Sequence, residues 1–263
     1  KFYDAEIFPP GVAMLDYDND GDLDLYFVQG TMLGKGLTPE QARPPPGKGS
    51  LPLRGRLYRN DLVVRPDGPR TLRFTDVTEQ GGIVSHGYGM GVATGDYNND
   101  GCVDVYLTNL GRNQMFRNNC DGTFTDVSAS SGIGKYTGKG MGVAIADYND
   151  DGFIDVFVAN DTLPNFLFRN NGRGGFDEVA LTAGVAVNDG GKPVSGMGVD
   201  FRDYDNDGLP DLVVSALEGE TFPLFRNLGK GFFIDATWTS NLGAETVKRS
   251  GWGLGLFDFN NDG

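Results

Sequence analysis

Histidine and cysteine are nearly absent from this chain: its 263 residues include one His, His86, and two Cys, Cys102 and Cys120. That scarcity argues against zinc and other soft metals, which favour thiolate and imidazole ligands. As a general base His86 would need a nucleophile or a substrate proton within reach. The sequence assembles no such set around it, so a surface or hydrogen-bonded turn residue is the plainer reading. Basic residues are outnumbered, 22 against 36 acidic, for a net charge of −14. A nucleic-acid partner is excluded on that ground, because a phosphate backbone is bound through basic clusters. No apolar run approaches the roughly 18–20 residues of a membrane-spanning helix, so no transmembrane segment is expected in this piece. Disorder is also disfavoured, since 11% of the residues are aromatic. The chain opens at Lys1 without an initiator Met or a visible signal peptide, and stops at Gly263 inside a motif. We therefore expect a fragment of a longer protein.

What is abundant is a repeat. The nine-residue pattern Asp-x-Asp/Asn-x-Asp-Gly-x-x-Asp runs complete over 16–24, 96–104, 147–155 and 203–211, and a fifth copy starts at Asp258. First aspartates are 80, 51, 56 and 55 residues apart. A Gly-x-Gly element precedes the later copies, as in Gly140-Met141-Gly142 and Gly196-Met197-Gly198. An alternating apolar run follows each complete copy, then an aromatic-Arg-Asn element such as Phe116-Arg117-Asn118 or Phe225-Arg226-Asn227. A last short strand, for example Thr123 to Val127, closes the unit. Four strands in about 50 residues is the size of one propeller blade. The fold expected is all-β, a β-propeller of four-stranded blades, about four and a half of them, forming a single incomplete domain over 1–263. The long first interval holds a Pro/Gly-rich insertion, Gly30 to Gly55, expected to be a surface loop.

The pattern suits calcium, which takes six to eight hard oxygen ligands. Positions 1, 3 and 5 of a tight loop place three side chains on one side, and Gly at position 6 permits the sharp turn. Position 7 offers its carbonyl and the Asp at position 9 closes the shell. The predicted ligands are Asp16, Asp18, Asp20, the Asp22 carbonyl and Asp24; then Asp96, Asn98, Asp100, the Cys102 carbonyl and Asp104. The third set is Asp147, Asn149, Asp151, the Phe153 carbonyl and Asp155; the fourth is Asp203, Asp205, Asp207, the Leu209 carbonyl and Asp211. Asp258, Asn260 and Asp262 begin a fifth. One Ca²⁺ per loop, four or five in all, is expected. Without a cation the clustered carboxylates would repel one another. Magnesium is the alternative ion, although it gives up its waters reluctantly. Asp/Asn/Gly clusters are also ordinary turn formers, but five copies with matching flanks go beyond that. An EF-hand would need Glu at position 12, where Phe27, Leu107, Val158 and Val214 stand instead.

Cys102 and Cys120 should face each other across a hairpin turning near Gly111 and form a disulfide, with two buried free thiols as the alternative. A disulfide fits an oxidising compartment where calcium is plentiful. The position-2 aromatics Tyr17, Tyr97, Tyr148, Tyr204 and Phe259 read as packing between blades, and the Gly-x-Gly elements as sites of close strand approach. The repeated Arg-Asn pairs read as turn and packing residues, since every blade carries one. Asn160-Asp161-Thr162 matches a glycosylation acceptor.

Asp16-Tyr17-Asp18-Asn19-Asp20-Gly21, Phe116-Arg117-Asn118-Asn119 and Asp121-Gly122-Thr123-Phe124 resemble the FG-GAP/VCBS-type repeats of integrin-α-like propellers. They are most similar to the propellers of cartilage-acidic-protein-like proteins, in which an ASPIC/UnbV domain often follows. The resemblance implies a seven-bladed propeller in the intact protein, with calcium in the outer loops of several blades.

Three functional readings follow. The first is a non-catalytic, calcium-stabilised binding or adhesion scaffold, extracellular, cell-surface or periplasmic, whose partner is an extracellular protein or glycan. The second is a structural subunit of a surface assembly or filament, formed by self-association. The third, an enzyme with its site in a central channel, would need non-repeated acid–base residues that the sequence does not offer.

Overall fold

The computed structural model describes residues 10–30, 54–63, 68, 71–85 and 87–260. His86, Asp262 and residues 31–53 of the insertion lie outside the described residues. The chain divides into two compact units, Lys1–Thr137 and Gly138–Gly263.

Unit one contains two antiparallel four-stranded sheets of propeller-blade type. The first is β1 (Val12–Leu15), β2 (Asp24–Phe27), β3 (Arg56–Asn60) and β4 (Phe74–Asp76), neighbours in chain order. The second is β5 (Tyr88–Gly95), β6 (Asp104–Arg112), β7 (Gln114–Asn118) and β8 (Phe124–Asp126). Unit two repeats the plan. β9 (Thr137–Ala146), β10 (Asp155–Asn160), β11 (Phe166–Asn170) and β12 (Phe176–Glu178) form its first blade. β13 (Val199–Arg202), β14 (Asp211–Val214), β15 (Leu224–Asn227) and β16 (Phe233–Asp235) form the other. The chain is therefore all-β, with four four-stranded blades among the described residues, as the repeat implies, and no strand after β16 there.

Burial patterns follow from which faces are covered. In β1 the residues alternate exposed and buried, with Val12 and Met14 outward and Ala13 and Leu15 inward. Such alternation is what a strand with one covered face shows. In β10 all six residues are buried, so the period-2 signal vanishes. Within unit one, Leu15, Tyr26, Leu57 and Ile83 of the first blade share one apolar cluster with Val105, Leu107, Phe116 and Phe124 of the second. Within unit two, Phe157 and Leu167 share another with Phe201, Leu212, Phe225 and Phe233. Each fully buried Phe there contributes about 2–3 kcal/mol.

Two features bear on the sequence reading. A single helical turn follows β4, β12 and β16: α1 (Thr78–Gly81), α2 (Ala180–Ala183) and α3 (Leu242–Thr246). One turn is too short for apolar periodicity to betray it. The Gly-x-Gly elements do mark close approach: a Cβ on Gly142 would lie 2.3 Å from the Met197 carbonyl oxygen, so only glycine fits there.

Candidate metal centres

Each metal loop joins the first strand of its blade to the second. Its backbone path repeats: position 4 (Asn19, Asn99, Asp150, Asn206) has φ of 57–60°, and the position-6 glycines have φ of 86–91°. Asn and Asp tolerate the left-handed region better than other side chains, because they hydrogen-bond locally. Position 4 is therefore as constrained as position 6, a requirement the sequence carried in its Asn/Asp choice but our pattern left open.

The carboxylates organise this path before any ion is considered. At position 1, Asp16, Asp96, Asp147 and Asp203 accept the N–H of position 5 at 3.0–3.1 Å and of the Gly at position 6 at 2.7–3.0 Å. At position 5, Asp20, Asp100, Asp151 and Asp207 accept the N–H of position 7 (Asp22, Cys102, Phe153, Leu209) at 2.9–3.0 Å. At position 9, Asp24, Asp104, Asp155 and Asp211 are buried, at most 2% exposed. One oxygen of each accepts the N–H of the position-2 aromatic at 3.0–3.3 Å. The other accepts the N–H of the Arg-Asn asparagine, Asn60, Asn118, Asn170 or Asn227, at 2.7–2.8 Å. Position 9 is thus a clamp fastening the loop to the third strand.

Burial pushes the clamp carboxyls up, to about 7 for Asp104 and about 7 for Asp155, against the hydrogen bonds that favour the charge. Asp24 and Asp211 shift the same way for the same reason. Asp18 is raised too, first by burial and then by Asp20 and Asp16.

Position 3 differs from its neighbours. Asp18, Asn98 and Asn149 each bury an Oδ1 that accepts no hydrogen bond. A buried oxygen without a donor is expensive and rare, unless it faces a cation. The carboxylate oxygens of Asp16, Asp18 and Asp24 lie within 4.8 Å of one another, as do those of Asp203, Asp205 and Asp211. Asp100 lies equally near the sulfurs of Cys102 and Cys120, but these are joined as a disulfide and offer no thiolate. In the fourth loop Arg226 enters the ring, with Nε 2.6 Å from Asp205 and Nη2 3.2 Å from Asp207. In the fifth, Asp258 and Asn260 are exposed and Asp262 is outside the described residues.

The disulfide forms as the spacing implied, with Cα atoms 5.6 Å apart. Its surroundings show why. The register pairs Val105 with Phe116 and Leu107 with Gln114, half a step from symmetry about Gly111. Cys120 then turns back with φ 60°, its N–H donated to Asn118 Oδ1 at 2.9 Å. Gly172 and Gly229 occupy that turn in the later blades, with φ of 66° and 74°. There the position-7 side chains, Phe153 and Leu209, approach the glycine without a covalent link.

The Arg-Asn asparagines also do more than turn the chain. Asn118 Nδ2 donates to the Tyr17 carbonyl at 2.8 Å, and Asn227 Nδ2 to the Tyr148 carbonyl at 2.8 Å, each binding its blade to the preceding loop. Tyr17 stacks on Phe124 and Tyr148 packs on Phe233, the contact between blades expected of position 2. Tyr204 and Phe259 are exposed at 39% and 92% and do not show that packing. Asn160, of the glycosylation pattern, is buried with its side chain bonded to the Pro164 carbonyl and the Lys139 N–H, which removes it as an acceptor in the folded chain.

Residues 96–158, 147–214 and 203–263 each match the FG-GAP-like repeat, every match starting at the first aspartate of a loop. The chain belongs to the FG-GAP-like repeat family. This FG-GAP-like chain is similar to cartilage acidic protein 1 of Xenopus tropicalis, 34% identical over 111 residues, 41% of this chain and 17% of that protein. It is 27% identical over 223 residues to cartilage acidic protein 1 of Mus musculus, covering 80% of this chain and 31% of that protein. The chain spans a third or less of the length of these curated relatives. Among solved structures it is similar to an Agrocybe aegerita lectin that recognises non-reducing terminal N-acetylglucosamine, at 17% identity and TM-score 0.42, covering 85% of this chain and 50% of the lectin. The Vibrio cholerae biofilm matrix protein Bap1 is similar at 15% identity and TM-score 0.41, covering 86% and 30%.

Proposed function

We propose that this FG-GAP-like chain is a calcium-stabilised propeller segment of an extracellular protein and serves as a non-catalytic binding or adhesion scaffold. The observation that carries the metal reading is the orphaned Oδ1 of Asp18, Asn98 and Asn149, buried within loops whose carboxylates at positions 1 and 9 are fixed by backbone N–H groups. Positions 1, 3, 5 and 9 would supply side-chain oxygens to one ion per loop, and position 7 its carbonyl. An all-oxygen set of this kind matches calcium's preference. Four such ions would take the net charge from −14 to −6. The Cys102–Cys120 disulfide and the relatives named for cartilage support an oxidising, extracellular setting.

The non-catalytic reading rests on where the perturbed carboxyls sit. Asp104 and Asp155 have the acidities expected of acid–base catalysts, yet both are clamps with each oxygen tied to backbone N–H. Calcium titrated calorimetrically into the chelator-treated chain should bind at four or five sites per chain and resist displacement by equimolar magnesium. A stoichiometry of zero or one would overturn the reading.

A further inference from the structure

The opposite end of the second blade from its metal loop holds a depression of about 500 Å³. β6 runs from Asp104 to Arg112, roughly 25 Å at a strand's rise per residue, so loop and depression occupy the two ends of one strand. Its polar lining includes Asn109, Arg112, Asn113, Gln114, Asp126 and Ser128. These residues are not the repeated metal chemistry, and none of the readings above uses them.

Asn109 is 2% exposed, and its Nδ2 donates to nothing. The third blade explains the anomaly. There Asn160 holds the same place, five residues beyond the position-9 aspartate. Its N–H donates to Asn165 Oδ1 at 3.1 Å, its Nδ2 donates to the Pro164 carbonyl at 2.8 Å, and its Oδ1 accepts from Lys139 N–H at 3.0 Å. The second blade keeps the backbone bond, Asn109 N–H to Asn113 Oδ1 at 3.0 Å, and anchors Asn113 by its Nδ2 on the Tyr106 hydroxyl at 3.0 Å. Its turn, however, is one residue shorter than that from Asn160 to Asn165, with Arg112 rather than Pro164 before the anchoring asparagine, and no carbonyl accepts from Asn109 Nδ2. A buried amide donor is thus left without its internal acceptor, a situation proteins rarely tolerate unless an external group accepts from it.

The neighbours indicate what that group is. Arg112 is an exposed cation beside the depression, and Asp126 an exposed carboxylate that already accepts from Gln114 Nε2 at 3.2 Å and Ser128 N–H at 2.9 Å. A small anion would meet the Asp126 carboxylate, and a small cation would meet Arg112. A neutral molecule with several hydroxyls satisfies both, accepting from Asn109 and Arg112 while donating to Asp126. We propose that this end of the second blade binds a neutral sugar residue, with Asn109 Nδ2, Arg112 and Asp126 as its polar contacts. The proposal rests on the scaffold reading and names a ligand class for it.

The test uses the calcium-loaded chain and a panel of methyl glycosides (glucoside, galactoside, mannoside and N-acetylglucosaminide), with acetate and inorganic phosphate as comparators, followed by NMR. At least one glycoside should bind saturably and shift the Asn109 side-chain amide resonance. Asn109→Asp, which exchanges the donor for an acceptor, and Arg112→Ala, at an exposed position, should each weaken binding about tenfold, as loss of a hydrogen bond in a partly desolvated site does. Arg112→Ala should leave the unfolding midpoint unchanged, so its result stands even if Asn109→Asp folds poorly. No glycoside binding, binding that Arg112→Ala preserves, or binding of acetate or phosphate alone overturns the proposal. A chain that takes up its calcium and ignores every glycoside refutes this site while leaving the metal reading in place.

Discussion

The second and fourth metal loops share one backbone but balance their acidity differently. In the second, position 3 is Asn98, and Arg117 turns away to Asn119 at 3.3 Å. In the fourth, position 3 is Asp205, and Arg226 turns inward onto Asp205 and Asp207. The residue two places beyond each arginine accounts for this: Asn119 offers an oxygen outside the loop, whereas Leu228 offers none. Position 7 differs as well, a disulfide at Cys102 against a side-chain contact of Leu209 with Gly229. A nine-residue pattern thus fixes the path of the chain, while residues outside it decide how much positive charge the loop lacks.

The largest effect should come from what the two loops share. Asp104→Ala would leave the buried N–H groups of Tyr97 and Asn118 without acceptors, and Asp211→Ala would do the same to the buried N–H of Asn227 and the partly buried one of Tyr204. Each should lower unfolding free energy in urea by about 3 kcal/mol or more. A loss below about 1 kcal/mol in either would show that position 9 is no clamp.

Next comes the covalent difference. Replacing Cys102 and Cys120 together by serine removes a link spanning 18 residues and should destabilise the chain by about 2–4 kcal/mol. The pair Cys102→Leu with Cys120→Gly recreates the fourth loop and should recover roughly 1 kcal/mol, because glycine relieves the left-handed position. Equal stability of the two double variants would contradict the equivalence of these turns.

Acidity supplies a third contrast. The folded carboxyls of Asp104 and Asp155 sit near 7, above their ordinary value of 3.8. Between those limits the folded chain binds more protons than the unfolded one, so the contribution of these groups to stability falls as pH rises. In calcium-free buffer the melting temperature should be higher at pH 5 than at pH 7.5, with a flatter slope in Asp104→Asn. Saturating calcium should reverse the slope, since metal binding requires ionised carboxylates.

The smallest effect should separate the loops by charge alone. Arg226→Gln removes a cation from the fourth ring and should tighten one class of calcium sites severalfold, whereas Arg117→Gln should leave calorimetric affinities unchanged. The opposite ranking would mean that Arg226 supports the site.

Much of this was legible from the residues. Spacing and flanks gave the loops, the blade plan and the cysteine pair, because a repeated local pattern states its geometry several times over. The bridges from Asn118 to Tyr17 and from Asn227 to Tyr148 were not legible, since they join residues 101 and 79 positions apart. The exposure of Tyr204, the burial of Asn160 and the single helical turns likewise depend on what packs against them. Position 3 marked a ligand from sequence; only the fold revealed that the buried Oδ1 of Asp18, Asn98 and Asn149 has no donor.

Thermal unfolding with and without chelator tests most directly whether a cation sits within these loops. Because an ion held only by the folded chain adds its binding energy to stability, excess EDTA should lower the melting temperature markedly, and excess calcium should restore it. A melting curve that EDTA leaves unchanged would contradict the account.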